Sequence, residues 1–168
     1  MVSFVTCDLL DDHPDEEIQV IGPSIDGKFF SSYGKVKTFG GEIATIKCHE
    51  DNSRVKEVLA TDGTGKVLIV DGGASMRCAL MGDMIAESAV KNHWNGVIIY
   101  GCVRDVDALA TLELGVHALA AIPRKSHRQG IGVVDVALQL GGAIIIPGQY
   151  VYADNNGIII SEKKLIDL

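Results

Sequence analysis

The sequence contains few aromatic residues and no excess of basic ones. Aromatic residues make up 5% of the 168 residues and apolar residues 47%, so we expect a core of aliphatic side chains. The formal net charge of -7 argues against nucleic acid as a direct ligand, because a phosphate-binding surface needs a basic stripe. The short basic cluster Arg124, Lys125, His127 and Arg128 is interpreted as a solvated loop.

The sequence also lacks the cysteine and histidine spacings of metal or disulfide frameworks. None of its four cysteines forms a CxxC pair, and its five histidines are scattered. We therefore expect reduced thiols and a cytoplasmic location. Cys102 is interpreted as a small buried residue in a tight turn rather than a nucleophile. No apolar run approaches the length of a membrane span, so no membrane partner is expected.

The segment from Lys66 to Asp107 indicates a βαβ unit. Val67 to Val70 and Gly96 to Tyr100 are short, continuous apolar runs, which are typical of buried parallel strands. Asp83 to Trp94 has apolar residues at helical spacing and is predicted to form the crossover helix. The second strand is predicted to end at Gly101, followed by a turn over residues 102–105.

The loops after parallel strands gather at one edge of a sheet, where ligands bind. The start of the helix, Gly82, Asp83, Met84 and Ile85, offers free N–H groups that favour an anion. Arg104 adds a planar fork suited to a carboxylate, and the oxygens of Asp105 suit magnesium or manganese. These residues predict a site for a small carboxylate bound to a divalent cation.

Strands dominate both ends of the chain. Glu17–Gly22 and Val36–His49 are predicted strands, the second broken at Gly40-Gly41. Val133–Leu140 begins a β-rich tail. Strands around a βαβαβ middle favour an α/β chain with layered β/β/α packing, and 168 residues fit one domain over positions 1–168.

Several separated segments resemble the RraA-like family, which includes the regulator of ribonuclease E activity and the 4-hydroxy-4-methyl-2-oxoglutarate aldolases. They read VDGGASMRCALMGDMIAESA, NHWNGVIIYGCVRDVDAL, GVHALAAIPRK and YADNNGIIIS. The resemblance implies a swivelling β/β/α domain that assembles as a homotrimer or a dimer of trimers, with sites near the subunit interfaces. In the aldolase branch an aspartate precedes an Arg-Asp pair by twenty intervening residues, and Asp83, Arg104 and Asp105 keep that spacing.

The resemblance implies cleavage of a 4-hydroxy-2-oxo acid to pyruvate, with oxaloacetate decarboxylation as a side activity. It implies that Arg104 holds the substrate, that Asp105 anchors Mg²⁺ or Mn²⁺, and that the backbone from Gly82 to Ile85 holds the carboxylate. Asp83 is the candidate for moving the hydroxyl proton. No lysine lies in the three edge motifs, residues 71–73, 82–85 and 104–105, so a Schiff-base route has no obvious donor.

Other interpretations of these residues stay open. Asp83 could cap its helix, and Arg104 with Asp105 could form a surface ion pair worth little. Asp71 could close the glycine turn, and Asp107 could face solvent. The alternative function is a non-catalytic regulator that binds and inhibits ribonuclease E, since an acidic surface suits a basic partner. A methyltransferase would depend on Gly72-Gly73 as a cofactor turn.

Overall fold

The computed structural model describes residues 3–168. Those residues contain four helices: Thr6–Asp12 (α1), Ser53–Leu59 (α2), Asp83–Lys91 (α3) and Val106–Leu109 (α4). They contain twelve strands: Ile18–Val20 (β1), Ser31–Ser32 (β2), Phe39–Lys47 (β3), Lys66–Asp71 (β4), Ala79–Met81 (β5), Gly96–Val103 (β6), Gly115–Ala121 (β7), Val133–Val134 (β8), Leu138–Leu140 (β9), Ala143–Ile145 (β10), Tyr150–Asp154 (β11) and Gly157–Ser161 (β12).

A mixed sheet forms the centre of the molecule. Its strand order is β1-β12-β11-β3-β4-β6-β7-β2, with β5 paired to β6 and β8 paired to β3. Strands β3, β4, β6 and β7 are parallel neighbours, and β5 also runs parallel to β6. The carboxyl ends of these strands therefore meet at one edge, as the predicted βαβ unit requires.

Both faces of the parallel strands are buried, which explains their continuous apolar runs. In β4, Leu68 and Val70 pack in the cluster that contains the apolar sides of α2, α3 and α4. Val67 and Ile69 point to the other face and pack with residues of β9–β12. The strands β9–β12 on that face form a second β layer, which includes β11 and β12 from the end of the mixed sheet. Helices, parallel strands and this layer give the layered β/β/α arrangement that the sequence predicted.

The first helix covers the outer side of the β11–β12 hairpin. Leu9 of α1 packs with Tyr152 and Ile159, while the neighbouring Val151 and Ile160 face the inner core. Side chains alternate between the two faces of these strands, so β11 and β12 contribute to a hydrophobic cluster on each face.

The predicted break of the second strand at Gly40-Gly41 is wrong, because β3 continues through both glycines. A Cβ atom at Gly40 would lie 2.5 Å from the carbonyl oxygen of Val151. One at Gly41 would lie 2.6 Å from the carbonyl oxygen of Gly65. The glycines therefore allow close backbone approach and do not bend the strand.

The predicted turn over residues 102–105 is also partly wrong. Strand β6 continues to Val103, and Cys102 lies in the strand, buried as expected. A register shift against β7 falls between Ile99 and Cys102, so the strand passes the apparent stop at Gly101 with a local irregularity. The single strand predicted over Val133–Leu140 is two short strands, β8 and β9.

Within residues 3–168, no helix is both long enough and apolar enough to cross a membrane. The assignment of one domain to residues 1–168 stays a prediction, and it includes Met1 and Val2, which lie outside the described residues.

Candidate active site

A cavity of about 370 Å³ lies where the chain leaves β5, β6 and β7. All six residues predicted for the site line it: Gly82, Asp83, Met84, Ile85, Arg104 and Asp105. The remaining lining residues are Asn52, Ala79, Met81, Lys125, Ser126, His127 and Arg128. The structure therefore brings the predicted residues together and adds a group that the sequence analysis had not placed there.

Strand β5 was not predicted, and it is the element that positions the start of α3. It lies parallel to β6, so its exit at Met81 sits beside the exit of β6. The backbone N–H of Arg104 donates to the carbonyl oxygen of Met81 at 2.9 Å. This bond fixes the turn at Gly82 next to the Arg104-Asp105 pair.

Asp105 has a left-handed backbone conformation, with φ 55° and ψ 42°. This region is uncommon for residues with a side chain, although aspartate tolerates it better than most, and such residues cluster at functional sites. Its Oδ2 accepts a hydrogen bond from the backbone N–H of Asp83 at 3.2 Å. The Nε of Arg104 lies 3.8 Å from the same oxygen. The strained backbone thus aims the carboxylate at the positive end of α3.

Gly82 has no room for a side chain. A Cβ atom there would overlap Oδ2 of Asp105 and would lie 3.2 Å from Cγ of Arg104. Its backbone is extended rather than left-handed, so close approach and not conformation requires glycine here.

Asp83 is the first residue of α3, and the helix is preceded by Gly82 with no side-chain cap. Oδ1 of Asp83 accepts from the N–H of Met84 at 2.8 Å. Asp83 does not occupy the N-cap position, so the capping interpretation is wrong. Its carboxylate bonds to the N–H of the next residue and also faces the cavity. The two roles are compatible because the second oxygen makes no protein hydrogen bond among the described residues.

The basic cluster after β7 lies along the same cavity, which the sequence analysis missed. The side chains of Lys125, His127 and Arg128 are exposed, as predicted for a solvated loop, yet they line the cavity wall. A signal was present: β7 is a parallel strand beside β6, so the loop that follows it reaches the same edge.

Asp71 and Asp107 are absent from the cavity lining. Oδ1 of Asp71 accepts from the N–H of Gly73 at 2.9 Å, which closes the turn as the alternative interpretation expected. Asp107 is exposed on α4. The Gly72 turn is filled, since a Cβ atom there would lie 2.5 Å from Cδ1 of Leu80 and 2.9 Å from the carbonyl oxygen of Tyr100.

The carboxylates of Asp105 and Asp83 fit a hydrated divalent cation. Within residues 3–168, no group of three or more His, Cys, Asp or Glu side chains is arranged to hold a metal. Magnesium binds through one or two carboxylates and keeps several waters or substrate oxygens, so two carboxylates beside an open cavity satisfy it. The same donors do not suit zinc, which takes four ligands, mostly nitrogen and sulfur.

Comparison with known proteins gives consistent matches over nearly the whole chain. A family model described as "RraA-like: Aldolase/RraA" matches residues 6–160. A curated protein of Acinetobacter baylyi named "Putative 4-hydroxy-4-methyl-2-oxoglutarate aldolase" is 74% identical over 99% of this chain and 98% of its own length.

Two solved structures share the fold at substantial identity. One is described as S-adenosylmethionine: 2-dimethylmenaquinone methyltransferase from Geobacillus kaustophilus, with a TM-score of 0.90 and 42% identity over 96% of this chain and 97% of that one. The other is described as the RNA-processing inhibitor RraA from Thermus thermophilis, with a TM-score of 0.87 and 38% identity over 96% and 94%.

Proposed function

The chain belongs to the RraA-like family, and from this premise we propose that it is a divalent-metal-dependent aldolase. Its substrate is 4-hydroxy-4-methyl-2-oxoglutarate or a related 4-hydroxy-2-oxo acid, which it cleaves to pyruvate. Oxaloacetate decarboxylation is a side activity, because both reactions pass through the enolate of pyruvate. The observation that carries the proposal is the convergence of the α3 start, Arg104 and Asp105 on one cavity.

Each residue of the candidate site has a proposed role that follows from its chemistry. The backbone N–H groups at Gly82 to Ile85 bind the carboxylate next to the oxo group, with the positive end of α3 behind them. For the N–H groups of Asp83 and Met84, the substrate carboxylate replaces the side-chain oxygens of Asp105 and Asp83 that accept from them without substrate.

The guanidinium of Arg104, whose side chain is 39% exposed toward the cavity, orients the substrate and stabilises negative charge. Asp83 accepts the proton of the 4-hydroxyl group, directly or through water, as the bond between C3 and C4 breaks. C4 leaves as the second carbonyl product, and a proton returns to C3 of the enolate to give pyruvate.

Asp105 is the residue that would hold the cation. When bound, Mg²⁺ or Mn²⁺ supplies Lewis acidity at the 2-oxo oxygen. The geometry of Asp105 suits this role, because its side chain is 40% exposed and opens on the cavity.

We extend the proposal to the assembly, a homotrimer or a dimer of trimers with the sites near subunit interfaces. Met84 supports this arrangement: its side chain lies at the cavity and is 80% exposed, although it is apolar. Exposed apolar side chains also follow the basic loop, at Ile131 and Val133. Exposed apolar side chains near a cavity are common on surfaces that a partner covers.

Two relatives favour other activities. The similarity to the RNA-processing inhibitor supports a regulator that binds ribonuclease E, for which the net charge of -7 is suitable. The similarity to the described methyltransferase adds less, because Gly72 and Gly73, the proposed cofactor turn, are outside the lining of the candidate site. A binding titration with S-adenosylmethionine tests the latter directly, and saturable binding would favour it.

The aldolase proposal is tested by measuring the release of pyruvate from 4-hydroxy-4-methyl-2-oxoglutarate and from oxaloacetate. Each reaction is measured with magnesium and again after a chelator is added. We expect Asp105→Ala to lower kcat/KM by about a thousandfold or more, since it removes the cation ligand. Asp107→Ala, which removes an exposed carboxylate two residues away, should remain near wild type. Full turnover by Asp105→Ala, or turnover that chelator does not reduce, would show the metal assignment to be wrong. Inhibition of ribonuclease E by a protein that releases no pyruvate would favour the regulator.

A further inference from the structure

Asn52 lines the candidate active site, yet the proposed chemistry gives its side chain no role. The residue lies between β3 and α2, immediately before the helix, and it is only 7% exposed. Strand β3 runs parallel to β4, so the segment that follows it reaches the same edge of the sheet as the other site residues. A fourth strand exit thus contributes a buried polar side chain to the cavity.

The helix does not need the side chain of Asn52. Asparagine immediately before a helix usually serves as its cap, because the side-chain oxygen accepts from the first free N–H groups. Asn52 makes no such bond. Instead, Oδ1 of Asp51 accepts from the N–H of Ser53 at 2.8 Å. The place of the Asn52 amide at the cavity therefore requires another explanation.

Arg128 fixes the orientation of the Asn52 amide. Nε of Arg128 donates to Oδ1 of Asn52 at 2.9 Å. Because arginine can only donate, the amide must present its oxygen to Arg128 and turn its nitrogen, Nδ2, elsewhere. Within residues 3–168 Nδ2 has no hydrogen-bond partner, and the only fully enclosed side-chain atoms without one are the ring nitrogens of His117. Nδ2 is therefore accessible, and the cavity is the open space that Asn52 lines.

Nδ2 is a neutral donor, and this property selects the ligand atom that it suits. Carboxylate oxygens are matched better by the start of α3 and by the guanidinium and ammonium groups of the lining. The 4-hydroxyl oxygen is uncharged until its proton leaves, so an amide is a suitable donor for it. The positive charge of Arg128 on the amide oxygen polarises the group and strengthens its N–H as a donor.

We infer that Nδ2 of Asn52 donates a hydrogen bond to the 4-hydroxyl oxygen and stabilises it as the C3–C4 bond breaks. This inference rests on the proposed function and adds a catalytic residue to it. When Asp83 takes the hydroxyl proton, the O–H bonding pair forms the new carbonyl bond and the C3–C4 pair passes to the enolate of pyruvate. Negative charge develops on the oxygen as the proton leaves, and an N–H already directed at it lowers the barrier.

Oxaloacetate provides an internal comparison, because it has the 2-oxo acid group but no 4-hydroxyl group. Its C4 leaves as carbon dioxide and its carboxylate loses negative charge as the bond breaks, so a donor at those oxygens gives no acceleration. We expect Asn52→Ala to lower kcat for 4-hydroxy-4-methyl-2-oxoglutarate about a hundredfold, as for loss of one donor to a developing oxyanion. Decarboxylation of oxaloacetate by the same variant should change by no more than about threefold.

Ser53→Ala is the matched control for a loosened loop after β7. Oγ of Ser53 accepts from the N–H of Gly130 at 3.1 Å, so this hydroxyl also ties the loop to α2, but Ser53 is outside the cavity lining. Both activities should stay near wild type in this variant. Calorimetry with pyruvate and magnesium examines the rest of the site: pyruvate has no C4, so Asn52→Ala should bind it with wild-type affinity.

The role of Asn52 is overturned if Asn52→Ala leaves both activities unchanged or lowers them equally, or if Ser53→Ala reproduces the selective loss. A parallel loss of pyruvate affinity also overturns it, because the amide would then bind the 2-oxo acid group. A wild type that does not cleave 4-hydroxy-4-methyl-2-oxoglutarate contradicts the aldolase proposal and, with it, this role. Wild-type cleavage with an unchanged ratio of activities in Asn52→Ala supports the aldolase and rejects only the role of Asn52.

Discussion

Gly82 shows how one missing side chain sets the geometry of the candidate active site. The space that a Cβ atom would fill is occupied by the carboxylate of Asp105 and the side chain of Arg104. Any larger residue must push these two groups away, even though the extended backbone would accept it. Displacements of about 1 Å in a catalytic group cost about a hundredfold in rate.

We therefore expect Gly82→Ala to lower kcat/KM for pyruvate release by about a hundredfold, while the free energy of unfolding changes by about 1 kcal/mol or less. The small stability effect follows because flexible side chains, and not backbone atoms, must move. Steady-state kinetics and chemical denaturation separate the two effects. Gly101→Ala is the control, since its Cβ atom would meet nothing closer than 3.4 Å. Equal losses of activity in both variants would contradict this explanation.

At the scale of elements, residues just before α2 hold the loop that follows β7 and carries Lys125, His127 and Arg128. The carboxylate of Asp51 accepts from the N–H of Ser53 at 2.8 Å and from the N–H groups of Gln129 at 2.6 Å and Ile131 at 3.2 Å. Burial opposes ionisation, yet these donors and the Ser53 hydroxyl hold the pKa of Asp51 at about 2. One carboxylate thus joins two segments almost eighty residues apart.

Asp51→Asn should lower the free energy of unfolding by about 2–4 kcal/mol, because an amide cannot accept from every donor that surrounds this side chain. Urea denaturation measures the change. Asp62→Asn provides the comparison: Asp62 accepts from the N–H and hydroxyl of Thr64 in the same local way but is exposed and bonds to no distant segment. We expect a change within about 0.5 kcal/mol there. An Asp51→Asn variant as stable as the wild type would show that the loop is held by other contacts.

The elements also show where sequence reasoning succeeds. The apolar runs of β4 and β6 predicted strands because strands buried on both faces cannot alternate. The positions of Asp83 at the helix start and of Arg104 and Asp105 after a parallel strand predicted a shared site, because such strands end at one edge. The spacing between them was a point of resemblance to the family.

Other features depended on contacts between distant segments. β5 has three residues, too few for periodicity, and it is defined by its pairing with β6. Gly40-Gly41 resembled a break because the sequence does not reveal which backbone oxygens approach them. The position of Lys125 at the cavity depends on the parallel placement of β7. It also depends on the hydrogen bonds that tie the loop after β7 to Ala79 and Asn52.

At the scale of the whole molecule, stability should depend on the protonation of one buried histidine. His117 on β7 is 3% exposed and packs edge-on against Phe39 at 5.2 Å, and neither ring nitrogen has a hydrogen-bond partner among the described residues. Burial lowers its pKa from 6.5 to about 4, with Lys37 acting in the same direction and Asp154 opposing. In the range between those two values the unfolded chain binds a proton that the folded chain does not.

The free energy of unfolding should therefore fall as the pH decreases from 7.5 to 5, by about 2 kcal/mol from this group. Denaturation of His117→Phe at the same pH values should show a flatter dependence, because phenylalanine keeps the packing and removes the titrating group. His49→Gln, which removes an exposed histidine, should keep the wild-type slope. A His117→Phe profile that parallels the wild type would assign the pH dependence to other groups.

The cavity draws its lining only from residues 52–128, and the strands of the second β layer contribute none of the lining residues among those described. Substitutions in that layer therefore leave the lining residues in place, whereas substitutions at the parallel edge change the lining itself. Two descendants of one ancestor can keep the same scaffold while a handful of loop positions exchange catalysis for a different duty.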